Sequence, residues 1–496
     1  MRGDNRIVPL VYTGTIALSA ILLFWVQPMF AKMILPMLGG APAVWNTSML
    51  LFQATLLAGY AYAHYSTQML DVRRQSILHL LLLVAAFLVL PIAVAANWSP
   101  PTEHSPVAWL IALLAFSIGL PFFVLSATAP LLQKWFAHTN DRDASNPYFL
   151  YAASNFGSII ALLLYPVLLE PFLGLNEQSK AWTLGYGVLA ILMAACAFLL
   201  RRAFVAEPGA KQRAVAAELN ADVDWRLRTR WVILALVPSS LLLGVTTHIT
   251  TDIASVPLFW VAPLAIFLMT FVIVFSKRPI IKHKWIVSIH AYLVLAFVFV
   301  LYVPLLSVRI SLLLHLVMFF VTAMLCHGEL AKNRPAASHL TEFYLFMSLG
   351  GVLGGAFNAL LAPVIFNSSL EYPIAIALAC ALRPVLKEGR GGRIALDILL
   401  PLLVGAAVLV LLMLPDASSW IAENRAASTI TASVIGMVVF GFSPRPLRFA
   451  LGIAVLLIAM NNLMGNQQST LLAQRNFFGM HTVKQDPSGQ FFVLHH

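Results

Sequence analysis

Three ionisable side chains in the second half of the chain have the types and spacing of a cation site. His327 and Glu329 lie at the end of one apolar segment, and Glu342 opens the next, only 13 positions after Glu329. Two carboxylates that flank one short loop could coordinate an amine, beside an imidazole that titrates near neutral pH. Alternatively, His327 and Glu329 are solvated at a membrane surface, and Glu342 stabilises the first turn of a helix.

Polar groups also occur near and inside other apolar segments. Lys32 follows the first segment and Asp252 follows the seventh, so they occupy similar places in the two halves of the chain. They either pair, bind a charged solute, or act as independent interfacial charges. Asn155 lies within the fifth segment, where it can bind a solute or join two helices by a hydrogen bond.

Small residues mark two further segments. Gly350, Gly351, Gly354 and Gly355 form two overlapping G-x-x-x-G patterns, which allow helix backbones to approach closely in lipid. Gly157 lies at the corresponding place in the fifth segment. We predict helix packing for these glycines, with gating or solute lining as the alternative.

No pattern in the sequence predicts catalysis. The glycines at 389, 391 and 392 lack the strand–turn–helix context of a nucleotide loop, and no P-loop or Cys/His metal spacing occurs. We therefore predict no catalytic residue, no metal and no cofactor. The net charge of +11 comes from basic residues in short loops, so nucleic acid is not a predicted partner.

The elements that hold these residues are apolar helices. The chain of 496 residues is 60% hydrophobic and only 10% charged, whereas soluble domains average about 25% charged residues. A membrane-spanning helix needs about 20 mostly apolar residues. Segments of this kind fall at 7–29, 44–65, 77–97, 107–130, 147–169, 183–200, 230–250, 256–276, 285–304, 308–326, 339–363, 370–385, 395–414, 428–442 and 447–463. The predicted fold is an all-α, polytopic helical bundle in a lipid bilayer, with about 14–15 transmembrane helices.

The spacing of these segments predicts two related halves. Residues 1–200 and 230–393 each hold six segments, as in major-facilitator-like bundles, and residues 201–229 form a polar linker. Residues 394–463 add further transmembrane helices, and residues 464–496 follow them. An offset of 194 positions aligns Phe149 with Phe343 and Gly157 with Gly351, which favours an internal repeat.

Basic residues are distributed unevenly between the two sides of the membrane. Through the twelfth segment, one side has 23 Lys and Arg residues, and the other has only Lys32, Lys180 and Arg309. Because positively charged loops stay in the cytoplasm, this split predicts a cytoplasmic N-terminus and linker.

Four stretches together resemble a bacterial family that joins a transporter-like membrane domain to a spermidine-synthase-like domain. They are residues 36–46, 147–155, 325–330 and 341–355, and residues 475–489 resemble the opening hairpin of the synthase-like domain. The resemblance implies a bacterial inner-membrane location. The glycine-rich cofactor loop and the acidic amine-binding residues of that domain do not occur before His496. The resemblance therefore implies either that residues 464–496 are the start of a truncated synthase-like hairpin, or that a separate synthase-like chain is a partner that supplies the domain. No complete catalytic domain is predicted here.

Three functions follow from these observations. The first is a membrane domain of the synthase-associated family that transports or senses a small solute, with a polyamine suggested only by association. The second is a stand-alone secondary transporter of the major-facilitator type. The third is a membrane anchor that recruits an aminopropyltransferase-like enzyme.

Overall fold

The structure, a computed structural model, describes most of the chain. The residues described are 7–95, 97–101, 104–139, 141–145, 147–206, 223–253, 260–276, 280–302, 307–336, 339–385, 394–414, 420–421, 424–464, 470–486 and 490–495. The stretch from 207 to 222, which contains most of the predicted linker, lies outside these residues.

Fifteen long helices form the described part of the bundle, in agreement with the predicted all-α membrane fold. The first six are α1 (Ile7–Leu38), α2 (Pro42–Met69), α3 (Val72–Ala85, continued by a 3-10 turn over Ala86–Val89), α4 (Val107–Ala137), α5 (Tyr148–Leu164, continued to Phe172) and α6 (Leu175–Ala206). The next six are α7 (Trp225–His248, continued by a π-turn over Ile249–Ile253), α8 (Val261–Phe275), α9 (His283–Tyr302), α10 (Val308–Lys332), α11 (Leu340–Ala356, continued to Ile365) and α12 (Glu371–Ala381). The last three are α13 (Ile394–Met413), α14 (Arg425–Gly441) and α15 (Pro446–Met464).

Each predicted segment coincides with one helix, but several boundaries differ. Helix α1 continues past residue 29 to Leu38, where Gly39 ends it in a left-handed conformation at φ 70°. Lys32 therefore lies inside α1, and the expectation that it follows the first span is wrong. Helix α3 and its 3-10 turn stop at Val89 instead of residue 97, because Pro91 has no N–H to continue the helix.

The first twelve helices form two bundles that pack in the same way. Helix α1 packs on α5 and α2 on α4, and in the second half α7 packs on α11 and α8 on α10. The two halves meet through two equivalent pairs, α2 with α11 and α5 with α8. This repetition gives the bundle an approximate two-fold axis between the halves.

The remaining elements are attached to the second half. Helix α15 packs on α12 and α13, and an ion pair joins Arg448 of α15 to Asp397 of α13 at 2.7 Å. The chain then forms a three-stranded antiparallel sheet from β1 (Thr470–Arg475), β2 (Met480–Gln485) and β3 (Phe492–His495). The sequence predicted only the first hairpin of this sheet.

Two ends of the bundle are distinguished below. The basic end is the one at which α1 begins and α10 ends, and it includes Arg228 and Lys332. The tryptophan end is the opposite one, where α2 begins and where Trp45 and Trp260 lie. Because the chain crosses the bundle fifteen times, the sheet lies at the tryptophan end.

Candidate functional site

A cavity of about 170 Å³ lies between the two halves. Its wall is formed by α1, α2, α4 and α5 of the first half and by α7, α8, α10 and α11 of the second. The lining helices of the two halves correspond in the repeat: α1, α2, α4 and α5 of the first half are equivalent to α7, α8, α10 and α11 of the second. The approximate two-fold axis therefore passes through the cavity.

The described lining of this cavity is mainly apolar, and its polar side chains are uncharged. The first half contributes Ser19, Gln27, Gln53, Ser126, Ser154, Asn155 and Ser158, and the second half contributes Ser239, His327 and Ser348. No Asp, Glu, Lys or Arg is among the described lining residues. Phenylalanines, leucines and two tyrosines complete the wall. Such a surface suits a small solute with both hydrogen-bonding and apolar parts.

Four polar atoms in the described wall have no hydrogen-bond partner. They are Oε1 of Gln27, Oε1 of Gln53, Nε2 of His327 and the hydroxyl of Ser348. Gln27 and Ser348 are 3% and 6% exposed, and His327 is fully buried. An unpaired buried polar atom destabilises the folded protein by about 1–3 kcal/mol. A bound molecule that forms hydrogen bonds with these four atoms would offset that destabilisation.

His327 is held rigidly in this wall. Its Nδ1 lies 2.7 Å from the Thr270 hydroxyl of α8, and its ring stacks on Phe271 with centroids 3.8 Å apart. These contacts fix the ring and leave Nε2 without a hydrogen-bond partner among the described residues. The sequence placed His327 at the end of α10 beside Glu329, but the structure places the two side chains in different environments.

Asn155 also lines the cavity, and its position defines the repeat. Its side chain donates to the Tyr151 carbonyl at 2.8 Å, one turn earlier in α5. Residues 193 positions apart take equivalent places, since Asn155 and Ser348 both line the cavity and Tyr151 and Tyr344 stack on each other. The predicted offset of 194 is therefore one residue too large. One residue rotates a helix face by about 100°, so an offset of 194 would turn equivalent residues away from the cavity.

At the tryptophan end of the cavity, the two halves are in direct contact. Trp45 at the start of α2 stacks on Trp260 just before α8, with ring centroids 3.6 Å apart and planes 20° apart. Next to this pair, Asn46 donates to the Thr247 hydroxyl of α7 at 3.1 Å. The two tryptophans lie at the start of the second helix of each half, and the structure brings them into direct contact.

At the basic end of the cavity, a cluster of aromatic side chains joins the two halves. Tyr344 of α11 stacks on Tyr151 of α5 at 4.9 Å, and Tyr151 also contacts Phe275 of α8 edge-on. The Tyr344 hydroxyl donates to Gln133 of α4 at 2.8 Å, and His64 of α2 lies 3.0 Å from the Thr341 hydroxyl. Contacts between the halves therefore lie on both sides of the cavity, towards the tryptophan end and towards the basic end.

The two predicted carboxylates lie outside the cavity, at the basic end. Glu329 is bonded to Arg230, His283 and Lys332 at 3.0, 2.8 and 3.1 Å. Glu342 is bonded to Arg228 and His339, at 2.6 and 3.0 Å. Each carboxylate thus has its own basic partners, contributed by the second half. An amine would have to displace these partners to bind at either one.

Of the two predicted charges at the tryptophan end, the structure describes the surroundings of Lys32. Lys32 of α1 forms an ion pair with Glu170 at the end of α5, within the first half. The side chain of Asp252 lies outside the described part of the chain. Lys32 lines a second, larger cavity at the tryptophan end, of about 810 Å³, which we call the vestibule.

The glycines divide into packing and lining positions. A Cβ on Gly350 or Gly354 would meet the backbone of α7 at Val232 or Leu236, and one on Gly355 would meet Gln53. Gly157 likewise approaches the Ala17 backbone of α1. Gly351 instead lines the cavity, with no atom within 4 Å of an added Cβ. Within this motif, Gly350, Gly354 and Gly355 therefore pack against other helices, whereas Gly351 lines the cavity.

Sequence reasoning did not select Gln27, Ser239 or Ser348 as site residues. Each is an uncharged polar residue in a largely apolar helix, and such residues mark substrate pathways in membrane proteins. The amide of Gln27, between Val26 and Pro28 in α1, is the clearest signal of this kind in the sequence. The pairing of Gln53 with Ser239 across the halves, at 3.0 Å, required the structure.

These features define a multi-pass membrane protein with a two-half, twelve-helix core, to which three helices and a sheet are added. The core has the fold of major-facilitator transporters. The inward-open xylose transporter XylE from E. coli is similar at a TM-score of 0.50 and 13% identity, over 76% of this chain and 96% of that one. This likeness establishes the fold alone.

Two other solved structures are similar at lower scores. XylE bound to 6-bromo-6-deoxy-D-glucose, described as a proton:xylose symporter, gives a TM-score of 0.48 at 12% identity, over 75% of this chain and 94% of that one. A POT family transporter in complex with 5-aminolevulinic acid gives 0.45 at 13%, over 77% and 96%. No protein-family model and no curated protein matches the sequence, so membership of the synthase-associated family stays a prediction.

Proposed function

We propose that this protein is a secondary transporter that moves a small, uncharged polar solute across the membrane by alternating access. The observation that carries the proposal is the cavity on the axis between two equivalent six-helix halves, with its uncharged polar side chains. Transporters built from repeats bind their substrates at this kind of place, near the bilayer midplane between the repeats. An anchor for another enzyme has no need of four unpaired polar atoms around an internal cavity.

The chemistry of the wall favours an uncharged solute. A polyamine carries several positive charges, and burying an unpaired charge in a membrane protein is costly. The described lining offers amide oxygens, hydroxyls and one imidazole nitrogen, which suit hydroxyl or amide groups. The cavity is also smaller than the roughly 300 Å³ of the smallest drug-sized sites, so the solute has few non-hydrogen atoms.

The closing contacts suggest how the halves would move. Separating Trp45 from Trp260 would open the cavity towards the tryptophan end, and separating Tyr151 from Tyr344 would open it towards the basic end. Both pairs lie on the axis between the halves. Rocking of one half against the other would therefore break one pair while the other stays closed.

We infer that the basic end faces the cytoplasm, because of the 23-to-3 distribution of basic residues, and the family resemblance favours a bacterial inner membrane. The variant Lys211→Cys tests this orientation. We expect an impermeant thiol reagent to leave it unmodified in intact cells and to modify it after the membrane is permeabilised. The matched site at the other end is Ser307→Cys, an exposed residue before α10. Labelling of Lys211→Cys from outside would reverse the assigned orientation.

Binding and counterflow measurements test the transport function. Purified protein is screened by thermal unfolding with pentoses, hexoses, polyols and small amides, and with spermidine as the charged comparator. We expect a stabilising shift from at least one uncharged compound, since a ligand that binds only the folded state raises its stability. That compound is then used, radiolabelled, in a counterflow assay in proteoliposomes. Stabilisation by spermidine alone would support the polyamine alternative, and binding without counterflow would contradict transport.

A further inference from the structure

The C-terminal sheet lies over the vestibule at the tryptophan end. The floor of the vestibule includes the stacked Trp45 and Trp260, and its walls include Ser48 of α2 and Thr246 of α7. Residues 478–480 and Thr482 of the sheet line it from the remaining side. The same turn also lines a neighbouring cavity of about 620 Å³, together with residues 42–46 of the first half. The turn between β1 and β2 therefore spans the mouth of the crevice between the halves.

The shape of this turn is set by its own sequence. The side-chain oxygen of Asn476 accepts hydrogen bonds from the backbone N–H groups of Phe478 and Gly479, at 2.9 and 3.0 Å. The Asn476 N–H also donates to the Gly479 carbonyl at 2.9 Å. An asparagine whose side chain accepts hydrogen bonds from the backbone of the following residues stabilises a turn. The turn is thus a preformed rigid tip, and Phe477 beside it packs against the main hydrophobic core.

One buried ion pair ties this tip to the second half. Arg475, the last residue of β1, binds both carboxylate oxygens of Glu371 at the start of α12, at 2.8 and 3.1 Å. It also donates to the Ser368 carbonyl at 3.1 Å. The side chains of Arg475 and Glu371 are only 8% and 2% exposed. A two-pronged pair of this kind is strong and directional, and a surface ion pair would not be.

We propose that the C-terminal sheet is a lid on the vestibule, latched by the Arg475–Glu371 pair, which makes the vestibule an antechamber for the solute before it reaches the central cavity. The anchor is in the second half, while the tip also reaches the edge of the first half. Separation of the halves at this end therefore requires the tip to leave one of them. The antechamber role rests on the proposed transport function. The proposed lid does not depend on that function.

A cysteine reporter in the vestibule tests the lid without any transport measurement. Ser48→Cys places a thiol in the vestibule wall, where residue 48 is 2% exposed. The native cysteines Cys196, Cys326 and Cys380 are buried, so their background labelling is low. The rate of modification by a charged thiol reagent is measured on purified protein in lipid nanodiscs, where both membrane faces are accessible. Ser307→Cys, which is exposed at the same end, reports on general reactivity.

Two latch variants are compared with the wild-type latch in this background. Glu371→Gln with Arg475→Gln removes both charges and leaves no unpaired buried charge. We expect it to speed labelling of Ser48→Cys at least about tenfold, the effect of losing one charge-assisted hydrogen bond, with Ser307→Cys unchanged. Glu371→Arg with Arg475→Glu restores the pair and is expected to bring the rate back towards the wild-type value. Equal rates with the native and the neutral latch would overturn the lid, whether or not the protein transports.

Discussion

The double substitution Gln27→Leu with Ser348→Ala is expected to make the empty protein more stable and its solute binding weaker. Both side chains line the central cavity with a polar atom that has no partner, so their removal relieves a cost of about 1–3 kcal/mol per atom in the unliganded state. In the bound state the same atoms would hydrogen-bond the solute. Two neutral hydrogen bonds contribute about 1–3 kcal/mol, which corresponds to a roughly 5- to 150-fold loss of affinity.

Thermal unfolding with and without the uncharged compound identified in the screen measures both effects. Met347→Leu is the matched control, because Met347 lines the same cavity and the substitution conserves volume and polarity. The control is expected to change neither quantity appreciably. If the double variant binds as well as the wild type, the unpaired atoms are not solute ligands. If it binds less but is also less stable, the two residues are structural.

Gly350→Ala and Gly354→Ala are expected to destabilise the second half severely. An added Cβ would meet the backbone carbonyl of Val232 or Leu236, which cannot move aside without shifting the whole of α7. Overpacking of this kind costs about 1–3 kcal/mol for each site. Because α7 and α11 both line the cavity, a shift between them would also separate Gln53 from Ser239. The midpoint of thermal unfolding and the yield of monodisperse protein measure the loss.

Gly351→Ala is the control for these variants within the same motif. Its Cβ would lie in open space, and alanine favours a helix over glycine by about 1 kcal/mol. We expect this variant to be as stable as the wild type or slightly more stable. Equal stability of Gly350→Ala and Gly351→Ala would show that the close approach of α7 and α11 is not a determinant of the fold.

The polar residues of the cavity wall also explain why one helix of the core, α2, is less apolar than most of the others. Among the described residues, ten helices are long and apolar enough to span a membrane by length and composition, and α2 is not one of them. Helix α2 has 28 residues but carries Asn46, Gln53 and His64, which contact the second half or line the cavity. A helix that is shielded from lipid by its neighbours does not need a uniformly apolar surface.

The composition and periodicity of the chain were sufficient to predict fifteen helices and their division into two halves. This succeeds because a bilayer admits only elements whose backbone groups are satisfied internally, so an apolar stretch of about 20 residues has one outcome. Asn155 was predicted either to bind a solute or to join two helices, because a lone amide in an apolar helix is costly, and the structure places it in the cavity wall. Its binding role stays a prediction.

The partners of the polar residues were decided by the tertiary structure alone. The sequence grouped His327 with Glu329 because they are two positions apart, but on a helix such residues point about 200° apart. His327 consequently faces the cavity, and Glu329 faces Arg230, His283 and Lys332. In the same way, Glu371 and Arg475 are separated by more than a hundred positions and meet only because the fifteenth helix returns the chain to the tryptophan end. Hydropathy along the chain reports which segments are buried in the membrane, whereas helix rotation and the packing of the two halves determine which side chains meet.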